Sequence, residues 1–181
     1  MTLKKIISVY DKNASRYCES TFSRLMQYPL IQFLGYLKGK KILDAGCGCG
    51  RDVGYFKEEG YDAVGIDASK NMLKEARKRV KATFKSMDMA ALKFKKESFD
   101  GIWACASLVH TPENELPKIF KQFHKVLKKN GIVYISLKEG EGSSDIISKK
   151  LNSEKLKTSF YAMPVVDSIL LENGFEILKA Y

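Results

Sequence analysis

The chain has 181 residues, 45% of them hydrophobic, which suits one globular domain with a full core. No apolar run approaches the roughly 20 residues that a membrane helix needs, and the first residues, MTLKKIISVYDKNASRYCES, have neither the apolar core nor the cleavage site of a signal peptide. The net charge of +10 favours polyanions, but lysines such as Lys74, Lys78, Lys95, Lys125 and Lys149 are scattered over helix faces and turns, so a soluble lysine-rich surface is preferred to a nucleic-acid stripe.

Residues 1–39 precede the first core strand. Tyr10 and Tyr17 are seven apart, two turns along one helix face, and Asp11 is the expected N-cap of that helix. A second helix is expected over 23–37, with Pro29 as an early turn or kink and Gly39 as its end. Residues 41–67, KILDAGCGCGRDVGYFKEEGYDAVGID, read as a strand, a glycine turn, a helix from about Arg51 and a second strand ending on Asp67. Ser69 caps a helix over 70–80 that turns Met72, Leu73, Ala76 and Val80 to the sheet. A third strand over 82–87 closes on Asp88, and a fourth, mostly apolar, covers 99–106. A helix over 112–127 leads through Asn130-Gly131 to a fifth strand at 132–137. Residues 138–163 have no clear period, with a helical piece expected over 145–151; a last helix from Pro164 and a sixth strand over 175–181 follow.

These are βα units of a doubly wound parallel sheet, whose ligands bind outside the carboxyl ends of the strands. Gly46, Gly48 and Gly50 let the backbone turn sharply and approach a ligand, and the following helix presents free N–H groups there. Asp67 suits a ribose hydroxyl pair. The spacing departs from the dinucleotide pattern G-x-G-x-x-G, and Asp44 would repel a pyrophosphate while favouring a cationic group. S-adenosylmethionine, with an α-amino group and a sulfonium, fits. Of the four cysteines, Cys47 and Cys49 lie in the turn and Cys105 in a strand; no disulfide framework is suggested, and a reduced, cytoplasmic chain is expected. With two histidines and no second ligand pair, a metal site is not expected.

From about residue 40 to 181 the chain resembles the class I S-adenosylmethionine-dependent methyltransferases. The resemblance rests on Leu43-Asp44-Ala45-Gly46-Cys47-Gly48-Cys49-Gly50, Gly65-Ile66-Asp67, Asp88-Met89, Phe99-Asp100-Gly101-Ile102 and Leu127-Lys128-Lys129-Asn130-Gly131, five motifs in order. Tyr10-Asp11 to Tyr17 is similar to the leader of small-molecule methyltransferases, which folds over the cofactor. The resemblance implies a three-layer αβα Rossmann-like sheet, mostly parallel, and a cofactor held by Asp44, Gly46, Cys47, Gly48 and Gly50 at the methionine end. It implies Asp67 and Ala68 at the ribose, Met72, Asp88 and Met89 at the adenosine, Ala104 past strand four, and Tyr10 and Tyr17 above. The family ends on a seventh, antiparallel strand between strands five and six. This reading stops at a sixth, so either the chain is truncated, the sixth strand pairs directly with the fifth, or a partner chain supplies the missing strand; a monomer or simple dimer is expected.

His110, at the ligand edge of strand four, is the best base candidate, and Tyr10, Tyr17 and Tyr161 are candidates to line the acceptor pocket. Ala104-Cys105-Ala106-Ser107 stands where the methyltransferases of exocyclic base amines carry Asn-Pro-Pro-Tyr, and Cys105 is not preceded by the proline of cytosine-C5 enzymes. A small-molecule acceptor is therefore favoured, bounded by a helical cap over 1–39 and a lid-like insertion over 138–163 on the 40–181 core. An RNA or protein acceptor and a non-catalytic cofactor-binding module are the alternatives.

Overall fold

A computed structural model describes residues 1–180. Five parallel strands form the sheet: β1 (Lys41–Ala45), β2 (Asp62–Asp67), β3 (Thr83–Ser86), β4 (Phe99–Cys105) and β5 (Leu127–Ser136), in the order β3-β2-β1-β4-β5. The order reverses between β1 and β4, which opens a crevice at their carboxyl ends. Successive side chains point to opposite faces. Ile42, Ala63 and Trp103 meet Leu30 and Phe33 of α2 (Gln27–Tyr36), Val53 and Phe56 of α3 (Arg51–Glu58), and Leu73 and Ala76 of α4 (Lys70–Arg79). Leu43, Ile66, Ile102 and Ala104 meet Leu116, Ile119, Phe120 and Phe123 of α5 (Leu116–Val126), with Val166, Ile169 and Leu170 of α6 (Met163–Glu172) outside them. The three-layer expectation therefore holds.

Four expectations change. The first helix, α1, runs from Leu3 to Thr21, and Thr2 caps it by accepting from the Lys5 N–H. Asp11 is mid-helix, and its side chain works across space instead. The second helix starts at Gln27 rather than 23, so Pro29 sits in its first turn, where its missing N–H is no loss. Residues 145–151 are not a helix. They belong to an antiparallel hairpin, β6 (Ser143–Ser148) and β7 (Glu154–Ser159), closed through a 3₁₀ turn at Lys149–Leu151. The hairpin sits on α1, where Leu151 and Leu156 bury against Ile6.

The expected sixth strand is not formed over 175–180; Tyr181 lies outside the described residues. Side chains hold that segment. Phe175 packs edge-on against Phe120 and His124, and the Lys179 ammonium donates to Tyr28 Oη and Gln32 Oε1 on α2. These anchors tie it to helices, and it adds no ladder to β5. Among the described residues no helix is long and apolar enough to cross a membrane.

Candidate active site

A cavity of about 680 Å³ opens at the carboxyl ends of β1, β2 and β4. Of the residues expected there, Tyr10, Tyr17, Asp44, Gly46, Cys47, Gly48, Asp67, Ala68, Met72, Asp88, Met89 and His110 line it. Gly50 and Ala104 do not. Gly50 faces the sheet: it is the left-handed N-cap of α3, and a Cβ there would fall 2.7 Å from the Phe84 ring. Ala104 points to the opposite side, into the core under α5, and the cavity wall after β4 is made by Cys105, Ala106 and Ser107. Tyr161 is also absent from the wall. It is buried, and its hydroxyl donates to the Leu108 and Thr111 carbonyls, fixing the loop that carries His110.

The floor is a set of acid groups, of which Asp67 and Asp88 have fixed main-chain partners. Asp67 accepts from the Gly48 N–H at 2.9 Å and the Ser69 N–H at 2.8 Å, so it holds the glycine turn and the start of α4 together. Burial pushes its pKa up, and the main-chain donors oppose that. Asp44 is buried, and desolvation, reinforced by the charges of Asp52 and Asp67, pushes its pKa well above the carboxylate range; Arg51 opposes. Asp88 caps the short turn at Met89–Ala91 through the Ala90 N–H.

The floor thus gathers acid groups inside a basic protein. An anion such as a pyrophosphate would oppose ionisation of Asp44 and Asp67, whereas an ammonium or sulfonium would favour it. The donor set fits S-adenosylmethionine. Backbone can come close at the glycine turn: a Cβ on Gly46, whose φ is +81, would lie 2.3 Å from Ser107 Cβ, and one on Gly48 would lie 3.3 Å from Met72 Cε.

Above the floor lies α1. His110 Nδ1 is 2.7 Å from the Lys157 carbonyl, which can only accept, so Nδ1 carries the proton. Burial lowers the His110 pKa, which leaves the ring neutral at pH 7, and Nε2 then accepts from Tyr10 Oη at 3.0 Å. Tyr10 also packs edge-on against Tyr17. Burial pushes the Tyr17 phenol up to about 12, and that of Tyr10 further, so both hydroxyls stay protonated.

Three features escaped the sequence reading. Asp11 Oδ1 accepts from Ser69 Oγ at 2.6 Å and from the Asn71 N–H at 2.9 Å, tying the cap helix to the start of α4. Asp52 is buried beneath the turn, bracketed by the Arg51 guanidinium at 2.6 and 2.8 Å and by Trp103 Nε1 at 2.9 Å. Cys49 shares hydrogen bonds with Cys18 and Thr21 of α1, which brings its pKa down to about 7, whereas burial raises Cys47. Among the described residues no group of three or more His, Cys, Asp or Glu could hold a metal ion.

A parallel sheet with this reversal point, a glycine turn and acids past β1, β2 and β3 defines a Rossmann-like nucleoside-cofactor domain. Residues 42–131 match the family model described as "Methyltransferase domain". The chain belongs to the class I S-adenosylmethionine-dependent methyltransferases, whose cofactor is S-adenosylmethionine. A curated relative, Methyltransferase GfsG of Streptomyces halstedii, is 30% identical over 119 residues, covering 61% of this chain and 42% of its own length. The chain thus spans less than half of that relative. A solved S-adenosylmethionine-dependent methyltransferase of Methanosarcina mazei superposes with a TM-score of 0.73 at 23% identity, over 83% of this chain and 85% of that one. The 1,6-didemethyltoxoflavin-N1-methyltransferase of Burkholderia thailandensis superposes at 0.69 and 20% identity, over 99% of this chain and 82% of that one. At these identities the structures establish the fold alone.

Proposed function

We propose that this chain methylates a small molecule that enters between the first turns of α1 and the start of α5, and that Tyr10 and His110 handle the acceptor's proton. The observation that carries this reading is the chain from Tyr10 Oη to His110 Nε2 and from His110 Nδ1 to the Lys157 carbonyl, set in the wall of the cofactor cavity. The bound cofactor supplies an activated methyl group, open to in-line displacement. The protein's part is then positioning and, where the acceptor carries a proton, its removal. A neutral His110 can receive the Tyr10 proton at Nε2 while the Tyr10 oxygen takes one from the acceptor. The Lys157 carbonyl holds the ring and stabilises the imidazolium that results.

A small acceptor is supported by the enclosure. Ile6, Ile7 and Leu3 of α1 give the cavity an apolar side, and the acids of the floor ionise more readily beside a cation, which suits a compact cationic or neutral acceptor better than an RNA backbone. The name of the Burkholderia protein likewise states a small-molecule acceptor. We also infer a reducing, cytoplasmic setting from four free cysteines, three of them buried.

The test is methyl transfer from labelled S-adenosylmethionine to small amines, phenols, thiols, carboxylates and bulk tRNA. Small acceptors should be labelled and tRNA should not. With an acceptor found, His110→Ala should lower kcat by about a hundredfold or more, and Tyr10→Phe should do likewise with cofactor affinity little changed. Full turnover by His110→Ala would remove the proton-transfer role.

A further inference from the structure

Beyond the acids and glycines assigned to the adenosine, one buried side-chain oxygen at the cavity has no hydrogen-bond partner among the described residues. Ser107 Oγ is buried and has no hydrogen-bond partner, although Ser107 lines the cavity. Leaving a buried hydroxyl unpaired is costly, so an orphan beside a ligand site points to a ligand group.

The local backbone is built to put it there. Ala106 has φ +51, the left-handed region that a residue with a Cβ enters only at a cost. Ser136 Oγ of the neighbouring β5 accepts from the Ala106 N–H at 2.8 Å and holds that conformation. Ser107 is thereby pressed onto the glycine turn, in the space that a Cβ at Gly46 would fill.

Strand order says which end of the ligand lies there. Asp88 follows β3, Asp67 ends β2, the glycine turn follows β1 and Ser107 follows β4, and these strands are neighbours in the order β3-β2-β1-β4. A nucleoside with its base at Asp88 and its ribose at Asp67 must therefore send its tail toward Ser107. That tail carries an ammonium and a carboxylate. Asp44, an acceptor once ionised, serves the ammonium, and the carboxylate takes donors, where the Ser107 hydroxyl joins Arg24 and Arg51 of the cavity lining.

We infer that Ser107 Oγ donates a hydrogen bond to the α-carboxylate of the bound cofactor, so that the loop after β4 selects for the amino-acid end of the ligand. This rests on the cofactor reading above and adds a residue to it.

The experiment is isothermal titration calorimetry with three ligands: S-adenosylhomocysteine, its decarboxylated analogue and methylthioadenosine. Wild type and Ser107→Ala are compared, with thermal melting of both proteins. If wild type binds none of the three, the cofactor reading itself fails. If it binds, Ser107→Ala should weaken S-adenosylhomocysteine about tenfold or more. It should leave the decarboxylated analogue and methylthioadenosine within about twofold. The melting temperature should not fall, because the hydroxyl bonds to nothing in the free protein. Equal weakening of all three ligands, unchanged binding of S-adenosylhomocysteine, or a clear drop in melting temperature would each overturn the inference. Ser107→Thr, which keeps the donor, serves as the control for packing: affinity retained in Thr but lost in Ala supports the hydroxyl, and equal loss in both refutes it.

Discussion

Two walls face each other across the cavity, and they are made in opposite ways. The glycine turn with the start of α4 is held by polar contacts to buried carboxylates: Gly48 and Ser69 to Asp67, and Arg51 and Trp103 to Asp52. The opposite wall is α1, through Leu3, Ile6, Ile7, Tyr10 and Tyr17, and the β6–β7 hairpin backs it by apolar contact, Leu151 and Leu156 against Ile6. Directional bonds specify one geometry, which a fixed ligand needs. Apolar packing is non-directional, and strength without a fixed register suits a wall that must accommodate an acceptor. Under the proposed function, the difference separates a cofactor side built for one ligand from an acceptor side that can be retuned by changing side chain volumes.

The largest expected effect falls on the apolar wall. Leu156→Ala removes a buried side chain from a small cluster and should destabilise the hairpin and α1 by about 3 kcal/mol. Denaturant unfolding and hydrogen exchange over residues 143–159 would read this, with the exchange change confined to the hairpin and α1. S-adenosylhomocysteine affinity should change much less than stability. An equal fall in both would mean that the two walls are one unit, and the comparison would break.

The two walls also differ in legibility. The turn was readable because its chemistry is local: glycines that must adopt positive φ, and an acid at the carboxyl end of each of β1, β2 and β3, leave a pattern in sequence. The hairpin was not. Its strands, SSDIIS and EKLKTS, bury Leu156 but also Thr158 and Ser159, so polar residues stand where alternation calls for apolar ones. Ser159 can be buried because its N–H donates to the Val109 carbonyl at 2.8 Å, a contact between segments far apart in sequence. Asp11 misled for a related reason. An acid that caps its own helix and one that caps another helix across space look identical in sequence, and here Asp11 serves Asn71 on α4. Ala104 lies in β4 with its side chain turned into the core, since a one-residue step along a strand reverses direction, and Gly50 lies in the turn but packs against Phe84.

A middle-sized effect would sharpen the electrostatic half of the comparison. The pKa of Asp44 is raised in the fold, so its contribution to stability is fully present below the ordinary carboxylate range and is lost as pH rises through the raised value. Asp44→Asn should therefore melt with wild type in acid and above it at pH 8. Binding runs the other way. A ligand ammonium favours the ionised carboxylate, so wild-type affinity for S-adenosylhomocysteine should rise with pH and binding should release a proton. Asp44→Asn should lose both features and bind about tenfold more weakly at pH 8, or about 1.4 kcal/mol. Calorimetry in buffers of different ionisation enthalpy reads the proton directly, and no release from wild type would rule out Asp44 as the ammonium partner.

The smallest effect lies at Ala106, exposed and left-handed on the rim between the two walls. Glycine there removes strain of about 1 kcal/mol but adds freedom to the unfolded chain that offsets about 0.4–1 kcal/mol. Ala106→Gly should thus change stability by only a few tenths of a kcal/mol, in the stabilising direction. Its effect on binding should have the opposite sign. The strained residue holds Ser107 against the glycine turn before any ligand arrives, and a freer loop must be ordered during binding. A variant that is slightly more stable yet binds S-adenosylhomocysteine about twofold more weakly would show that the strain is kept for pre-organisation. One that binds as well as wild type would show that the Ser136 contact alone sets the loop.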